Sequence, residues 1–186
     1  MKSRKLPGDV AVWALILAEL SVFGILFIVF VVVAKNHPQM FEQGKQSLHK
    51  FSGFIETLSL ISSSFFVAFS LKLLRLNKHR QAAIFIIVAM ASAAIYLFLK
   101  LSEYQLLFEQ GYDIDTNVFY TLYFLLTGFH WLHVVVGFIV LLYMMKQSYA
   151  DKFQGEDIRL AESGASYWHM VDIVWIILFP LVYVLP

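Results

Sequence analysis

The sequence predicts an all-α integral membrane protein, a bundle of five transmembrane helices with the N-terminus cytoplasmic and the C-terminus outside. Three observations predict it. Hydrophobic residues make up 60% of the 186 and only 15% are charged, where a soluble domain carries about 25% charged residues. The apolar residues gather in five runs of roughly 20 or more, the length that takes a helix across about 30 Å of hydrocarbon. Lysine and arginine are divided unevenly between the two sides that five crossings create.

The whole chain, residues 1–186, reads as one transmembrane domain. Helices are expected at about 10–34, 52–75, 80–101, 116–146 and 164–185. Met1-Lys2-Ser3-Arg4-Lys5 resembles the basic start of a signal peptide. The apolar run from Val10 to Ala34 is far longer than a signal core and lacks a small-x-small cleavage site, so it reads as a retained first helix. Pro7-Gly8-Asp9 supplies a turn and cap before it, and Asn36-His37-Pro38 stops it. A polar stretch follows to Lys50. Leu76-Asn77-Lys78-His79 is a tight turn, and Gly111 to Asn117 is a turn-rich loop with capping residues. Residues 147–163 form the longest connection.

Sidedness follows from the basic residues. Ten of the fourteen lysines and arginines fall on the side of the N-terminus, the 2–3 turn and the 4–5 connection. The other side holds Lys35, Lys45, Lys50 and Lys100, and its segment from Glu103 to Asp115 carries four acids and no base. The richer side is cytoplasmic. Net charge of +1 gives no reason to expect nucleic acid as a partner. Without cysteine, disulfides, thiolate metal sites and covalently attached c-type haem are excluded.

Ionisable groups inside the spans carry the functional question, because each costs several kcal/mol unless paired, neutral or facing protein. Glu19 lies about 14 Å along the axis from Val10, near the midplane. It reads either as a proton-exchanging or lipid-binding carboxylate or as an acid bonded to a neighbouring helix. His130 and His133, three apart in Thr127-Gly128-Phe129-His130-Trp131-Leu132-His133, share a helix face with Thr127 and Gly137. Histidines so placed can ligate metal or haem. No Glu-x-x-His pair accompanies them, and their face is rich in small residues, which favours interhelical or lipid-headgroup hydrogen bonding. Together Glu19, His130 and His133 are expected to form a mid-membrane polar cluster.

His169 and Asp172, three apart, are expected to hydrogen-bond locally and lock the last helix, while Trp168 and Trp175, seven apart, mark an aromatic face. Glu56 and Glu103 read as interface acids: Glu56 as a cap near a helix start, Glu103 as the partner of Lys100. Ser59, Ser62, Ser63, Ser64 and Ala68, with Ala89, Ser92 and Ala93, form small-residue packing seams. No catalytic, cofactor-binding or metal-binding residue emerges.

Three stretches together carry a family resemblance. Leu17-Ala18-Glu19-Leu20, Thr127-Gly128-Phe129-His130-x-x-His133-Val134 and Tyr167-Trp168-His169-x-Val171-Asp172-x-Val174-Trp175 resemble subunit III of the haem-copper oxidases. Glu56-Thr57 and Ser102-Glu103-Tyr104 also look like family positions, and the likeness runs in order along nearly the whole chain. The chain looks like the five-helix form found in quinol oxidase subunit III and in the NorE protein associated with nitric oxide reductase. Its short loops and compact length are most like NorE. Glu56 departs from that pattern toward the quinol oxidase form, whereas Glu19 follows the cytochrome c oxidase and NorE position.

The resemblance implies an accessory, non-redox membrane subunit of a respiratory haem-copper enzyme, in the bacterial inner membrane. It implies that the chain binds no haem or metal, those belonging to a partner catalytic subunit (subunit I or the nitric oxide reductase large subunit). It also implies phospholipid binding, stabilisation of that partner, and help with proton or gas access. Partner contact is expected along the first helices. The alternative within the family is subunit III of a quinol or cytochrome c terminal oxidase. A free-standing proton-coupled transporter using Glu19 is the rival of a different class, disfavoured by the lack of inverted repeats and broken helices. A b-type cytochrome using His130, His133 or His169 is a third.

Overall fold

The computed structural model describes residues 9–153 and 158–184. Six helices follow one another in these residues: α1 (Val10–Asn36), α2 (Pro38–Gln46), α3 (Lys50–Arg75), α4 (His79–Glu109), α5 (Val118–Tyr149) and α6 (Ile158–Phe179). A π-helical turn, Pro180–Val184, extends α6. Five of these are long and apolar enough to cross a membrane, α6 together with its π turn forming the fifth. Asp9 caps α1, its Oδ1 accepting from the Ala11 amide at 2.9 Å, and Asn117 caps α5 through the amides of Phe119 and Tyr120. Pro7 and Gly8, named with Asp9 as the first turn, lie outside the described residues.

Three ends differ from the sequence expectation. The polar stretch after α1 holds the short helix α2, which the sequence signals only through Pro38 at its first position. The fourth helix of the chain, α4, continues two turns past residue 101 to Glu109, because nothing breaks it before Gly111, which takes φ +81°. The last helix begins at Ile158, so part of the expected 147–163 connection is helical. In the tight turn, Asn77 adopts φ 57° and reverses the chain between α3 and α4.

The helices pack unequally. α3 and α4 form a closely packed antiparallel hairpin, α5 lies along α4, and α6 inserts against both α3 and α5. Close approach comes from small residues: Ser59, Ser63 and Ser70 of α3 face Ala82, Ala89 and Ala93 of α4, all buried, and Ser63 Oγ donates to the Ala89 carbonyl at 2.8 Å. Ser62 and Ala68, expected in this seam, point outward instead, since helix rotation places them on the opposite face. Gly137 of α5 gives Trp168 its place. A β-carbon there would stand 2.7 Å from the indole. At the end bearing the N-terminus, Arg75 pairs with Glu162 at 2.8 Å, and Ser148 Oγ donates to the His79 carbonyl. The spans α6 and α1 are the extremes: α6 is the most buried and α1 the least, touching the bundle along α6 and α5 and presenting Leu17, Ile25 and Ile28 outward.

Candidate functional site

The buried polar groups do not form one mid-membrane cluster. They fall into an enclosed cluster near the C-terminal end of the bundle, an aromatic box around His130, and two smaller pairs on α1 and α6.

The enclosed cluster centres on Lys100. Its Nζ lies 2.8 Å from Glu56 Oε2 and 2.7 Å from Glu103 Oε2, with Lys100 and Glu56 wholly buried and Glu103 3% exposed. Lys100 Nζ donates to Glu103 Oε2, and Tyr183 Oη lies 2.6 Å from the same nitrogen. The Tyr183 hydroxyl donates in turn to Glu103 Oε2 at 2.7 Å. The ammonium also stands 4.9 Å from the Trp175 ring centroid, inside cation–π range. The π turn follows from Pro180, which cannot donate into the helix ladder. It carries Tyr183 onto Lys100. Glu56 contacts Lys100 as an ion pair without hydrogen-bond geometry, and its Oε1 and that of Glu103 have no hydrogen-bond partner among the described residues. One ammonium thus faces two carboxyls inside the bundle. Such a group is held by its geometry, and removing the cation strands two acids in a low dielectric.

Next to it lies His130, wholly buried, its ring stacked on Trp175 at 5.2 Å and edge-on to Tyr96 at 5.7 Å. Neither ring nitrogen has a hydrogen-bond partner among the described residues. Trp175 is fixed by donating from Nε1 to Thr57 Oγ1 at 3.0 Å. His130 therefore serves as an aromatic surface between α4, α5 and α6.

His133 points elsewhere, to α1. Its Nε2 lies 3.1 Å from Glu19 Oε2, and its Nδ1 is 2.8 Å from the Phe129 carbonyl. A carbonyl only accepts, so Nδ1 carries the proton there. Nε2 then either accepts from a protonated Glu19 or, as imidazolium, donates to the carboxylate. Both arrangements are neutral overall, which is what a site in hydrocarbon requires. The pair is only part-buried, with the Glu19 side chain 25% exposed.

The expected bond between His169 and Asp172 is not formed. His169 Nδ1 bonds Ser64 Oγ of α3 at 2.6 Å, and Ser64 is also the side-chain neighbour of Asp172. Local spacing permits an i,i+3 pair, but both side chains of α6 turn to the hydroxyl across the helix interface. Trp168 and Trp175 are both buried, against α5 and in the His130 box respectively. Among the described residues no group of three His, Asp or Glu side chains is placed to hold a metal ion.

Residues 15–185 match the family described as Cytochrome c oxidase subunit III. The chain belongs to that family. It is 34% identical over 176 residues to cytochrome c oxidase subunit 3 of Thermostichus vulcanus, covering 91% of this chain and 83% of the relative. Against the Synechocystis subunit 3 it is 30% identical, covering 91% and 72%. Cytochrome bo(3) ubiquinol oxidase subunit 3 of Buchnera aphidicola is 24% identical over 182 residues, covering 98% and 87%.

In this subunit III chain, Glu103 pairs with Lys100 as its spacing predicts, whereas Glu56 does not cap its helix but lies buried inside the bundle against the same ammonium. The three-residue cluster of Glu19, His130 and His133 divides, His130 facing inward and His133 meeting Glu19. Tyr183, Tyr96 and Ser64 were not singled out as functional by their sequence context. Pro180, three residues before Tyr183, is the signal that the last turn departs from α-helix.

Proposed function

We propose that the chain is an accessory, non-redox subunit III of a bacterial haem-copper terminal oxidase, one that takes electrons from cytochrome c or from a quinol. It would span the cytoplasmic membrane with its N-terminus inside, beside a catalytic subunit I that holds the haem and metal. The match across residues 15–185 carries this reading. Its named relatives are oxidase subunits, which puts a terminal oxidase ahead of a nitric oxide reductase as partner.

The arrangement of polar groups supports a supporting role. Lys100, Glu56 and Glu103 are paired with one another within the chain, and His130 is enclosed in aromatic rings. Glu19 and His133 form a polar pair on the least buried span, where phospholipid or the catalytic subunit would meet them. Within a carboxyl–imidazole pair a proton can pass from one partner to the other without changing the net charge. That fits assistance to proton uptake rather than chemistry on a substrate.

A second reading, a NorE-type partner of nitric oxide reductase, is favoured by the short connections, such as the turn of Asn77 and Lys78 between α3 and α4. One experiment separates these readings. The chain is purified with a tag from its native membranes, and the co-purifying material is assayed for haem absorbance and for consumption of oxygen and of nitric oxide. The proposal expects haem in the complex, oxygen consumption, and no Soret band from the chain alone. Nitric oxide consumption without oxygen consumption selects the second reading. A chain isolated without any haem protein contradicts both and favours a free-standing carrier.

A further inference from the structure

The charges of the Lys100 cluster do not cancel. One ammonium beside two carboxylates leaves a net negative charge among apolar helices, which hydrocarbon strongly disfavours. A proton on one of the carboxyls removes that charge. The hydrogen bonds indicate which one. Glu103 Oε2 accepts from both Lys100 and Tyr183, the arrangement that supports a carboxylate. Glu56 is wholly buried, and neither of its oxygens has a hydrogen-bond partner among the described residues. Nothing there supports a second carboxylate.

The surrounding groups leave this count unchanged. Tyr96 and Tyr104 of α4, Tyr123 of α5 and Tyr183 of the π turn stand within electrostatic reach of Glu56, and phenols are uncharged at neutral pH. Trp175 of α6 covers Lys100 with a neutral ring. His130 of α5 stacks on that ring and offers no acceptor contact to either nitrogen that would support an imidazolium.

The cluster is also within reach of the surface. A cavity of about 360 Å³ lies between the start of α3 and the end of α4, with Glu103 in its wall and His49, Ser52 and Ser102 as its other polar lining. His49, Ser52 and Glu56 are three and four residues apart and so follow one face of α3. Along that face His49 is exposed, Ser52 half-buried and Glu56 buried. The whole step covers about 10 Å of helix axis. Helical side chains lean toward the helix N-terminus, which carries the Glu56 carboxyl toward the turn of Ser52.

We infer that Glu56 and Glu103 hold one proton between them at neutral pH, carried on Glu56, and exchange it through this cavity with water at the C-terminal end of the bundle. The step is a simple transfer. Hydronium in the cavity and a Glu56 carboxylate become water and the carboxylic acid, and the reverse returns the proton. The site is a proton store on the side opposite the N-terminus, separate from the Glu19–His133 pair. It goes beyond the proposed function and does not depend on which enzyme is the partner.

The test follows the carbonyl stretch of protonated carboxyls by infrared spectroscopy, on the full chain in mild detergent at neutral pH. One acid band is expected to persist in the double variant E19Q/D172N, which removes the other carboxyls within the spans. The band is expected to disappear in Glu56→Gln and equally in Glu103→Gln, because either change leaves a single carboxylate for the one ammonium. Its survival in either variant, or its absence from E19Q/D172N, overturns the shared proton. Tyr183→Phe, which alters a bond to Glu103 alone, is expected to leave the band position unchanged. A shift there moves the proton to Glu103 and overturns the assignment to Glu56. On transfer to heavy water the band is expected to move, and Ser52→Leu, which fills the cavity, is expected to slow that exchange several-fold. Exchange at the parent rate in Ser52→Leu, or none in the parent, overturns the route. Should neither glutamine variant fold, this exchange, measured in E19Q/D172N with and without Ser52→Leu, decides the inference.

Discussion

The Lys100 cluster and the Glu19–His133 pair are both ionic groups set in a membrane bundle, yet they are built differently. Lys100, Glu56 and Glu103 join two helices and, through Tyr183, the π turn, with 3% exposure at most. Glu19 and His133 join the outermost span to α5 through one contact of 3.1 Å and remain part-exposed. The enclosed group finds its partners within the chain and ties α3, α4 and the end of α6 together. The outer pair lies where another molecule can compete for either partner. Burial, more than residue type, separates the two groups here.

The comparison breaks most visibly at Lys100. Lys100→Met leaves two buried carboxyls without a cation, and the isolated chain is expected to lose about 3–5 kcal/mol of stability, read as a lowered unfolding midpoint in detergent. An unchanged midpoint would show that the carboxyls find other partners. Gly137→Val tests the packing that supports both regions, because its side chain would enter the Trp168 ring. About 1–3 kcal/mol is expected from such overpacking, and near-UV circular dichroism should report the displaced indole. Tyr183→Phe removes one hydroxyl from the enclosed cluster while keeping the ring. A loss of about 1–2 kcal/mol follows if the bond to Glu103 is made in the membrane.

These residues also show what was legible from sequence. The five spans were plain because hydrocarbon thickness imposes run length. Glu56 reads as a cap because the expected helix begins only four residues before it. α3 starts two residues earlier than expected and α4 runs eight residues further, to Glu109, which puts Glu56 and Lys100 deeper in the bundle. Their meeting was nonetheless encoded. Glu56 is 20 residues before Leu76 and Lys100 is 21 after His79, so an antiparallel hairpin turned at Asn77 brings them level. The departure of His169 and Asp172 toward Ser64 was not readable, since it depends on which face of α3 meets α6. The split between His130 and His133 has the same cause: a helix wheel gives a shared face, and the neighbours' positions decide which side of it is core.

Glu19→Gln is the mildest change on stability and the most telling on contact. It keeps the side-chain volume and one hydrogen bond to His133, so the chain should stay within about 1 kcal/mol of the parent. In the assembled enzyme the initial turnover rate should hold, while proton uptake, lipid content or durability over many turnovers changes. Immediate and complete loss of activity in a fully assembled complex would contradict an accessory role.

The most direct measurement sets the two regions side by side. Lys100→Met and Glu19→Gln are unfolded in the same detergent, each as the isolated chain. The account predicts a large drop in midpoint for the first and almost none for the second. Equal drops, or a larger drop for Glu19→Gln, would contradict the division of the molecule into an enclosed scaffold and an exposed contact pair.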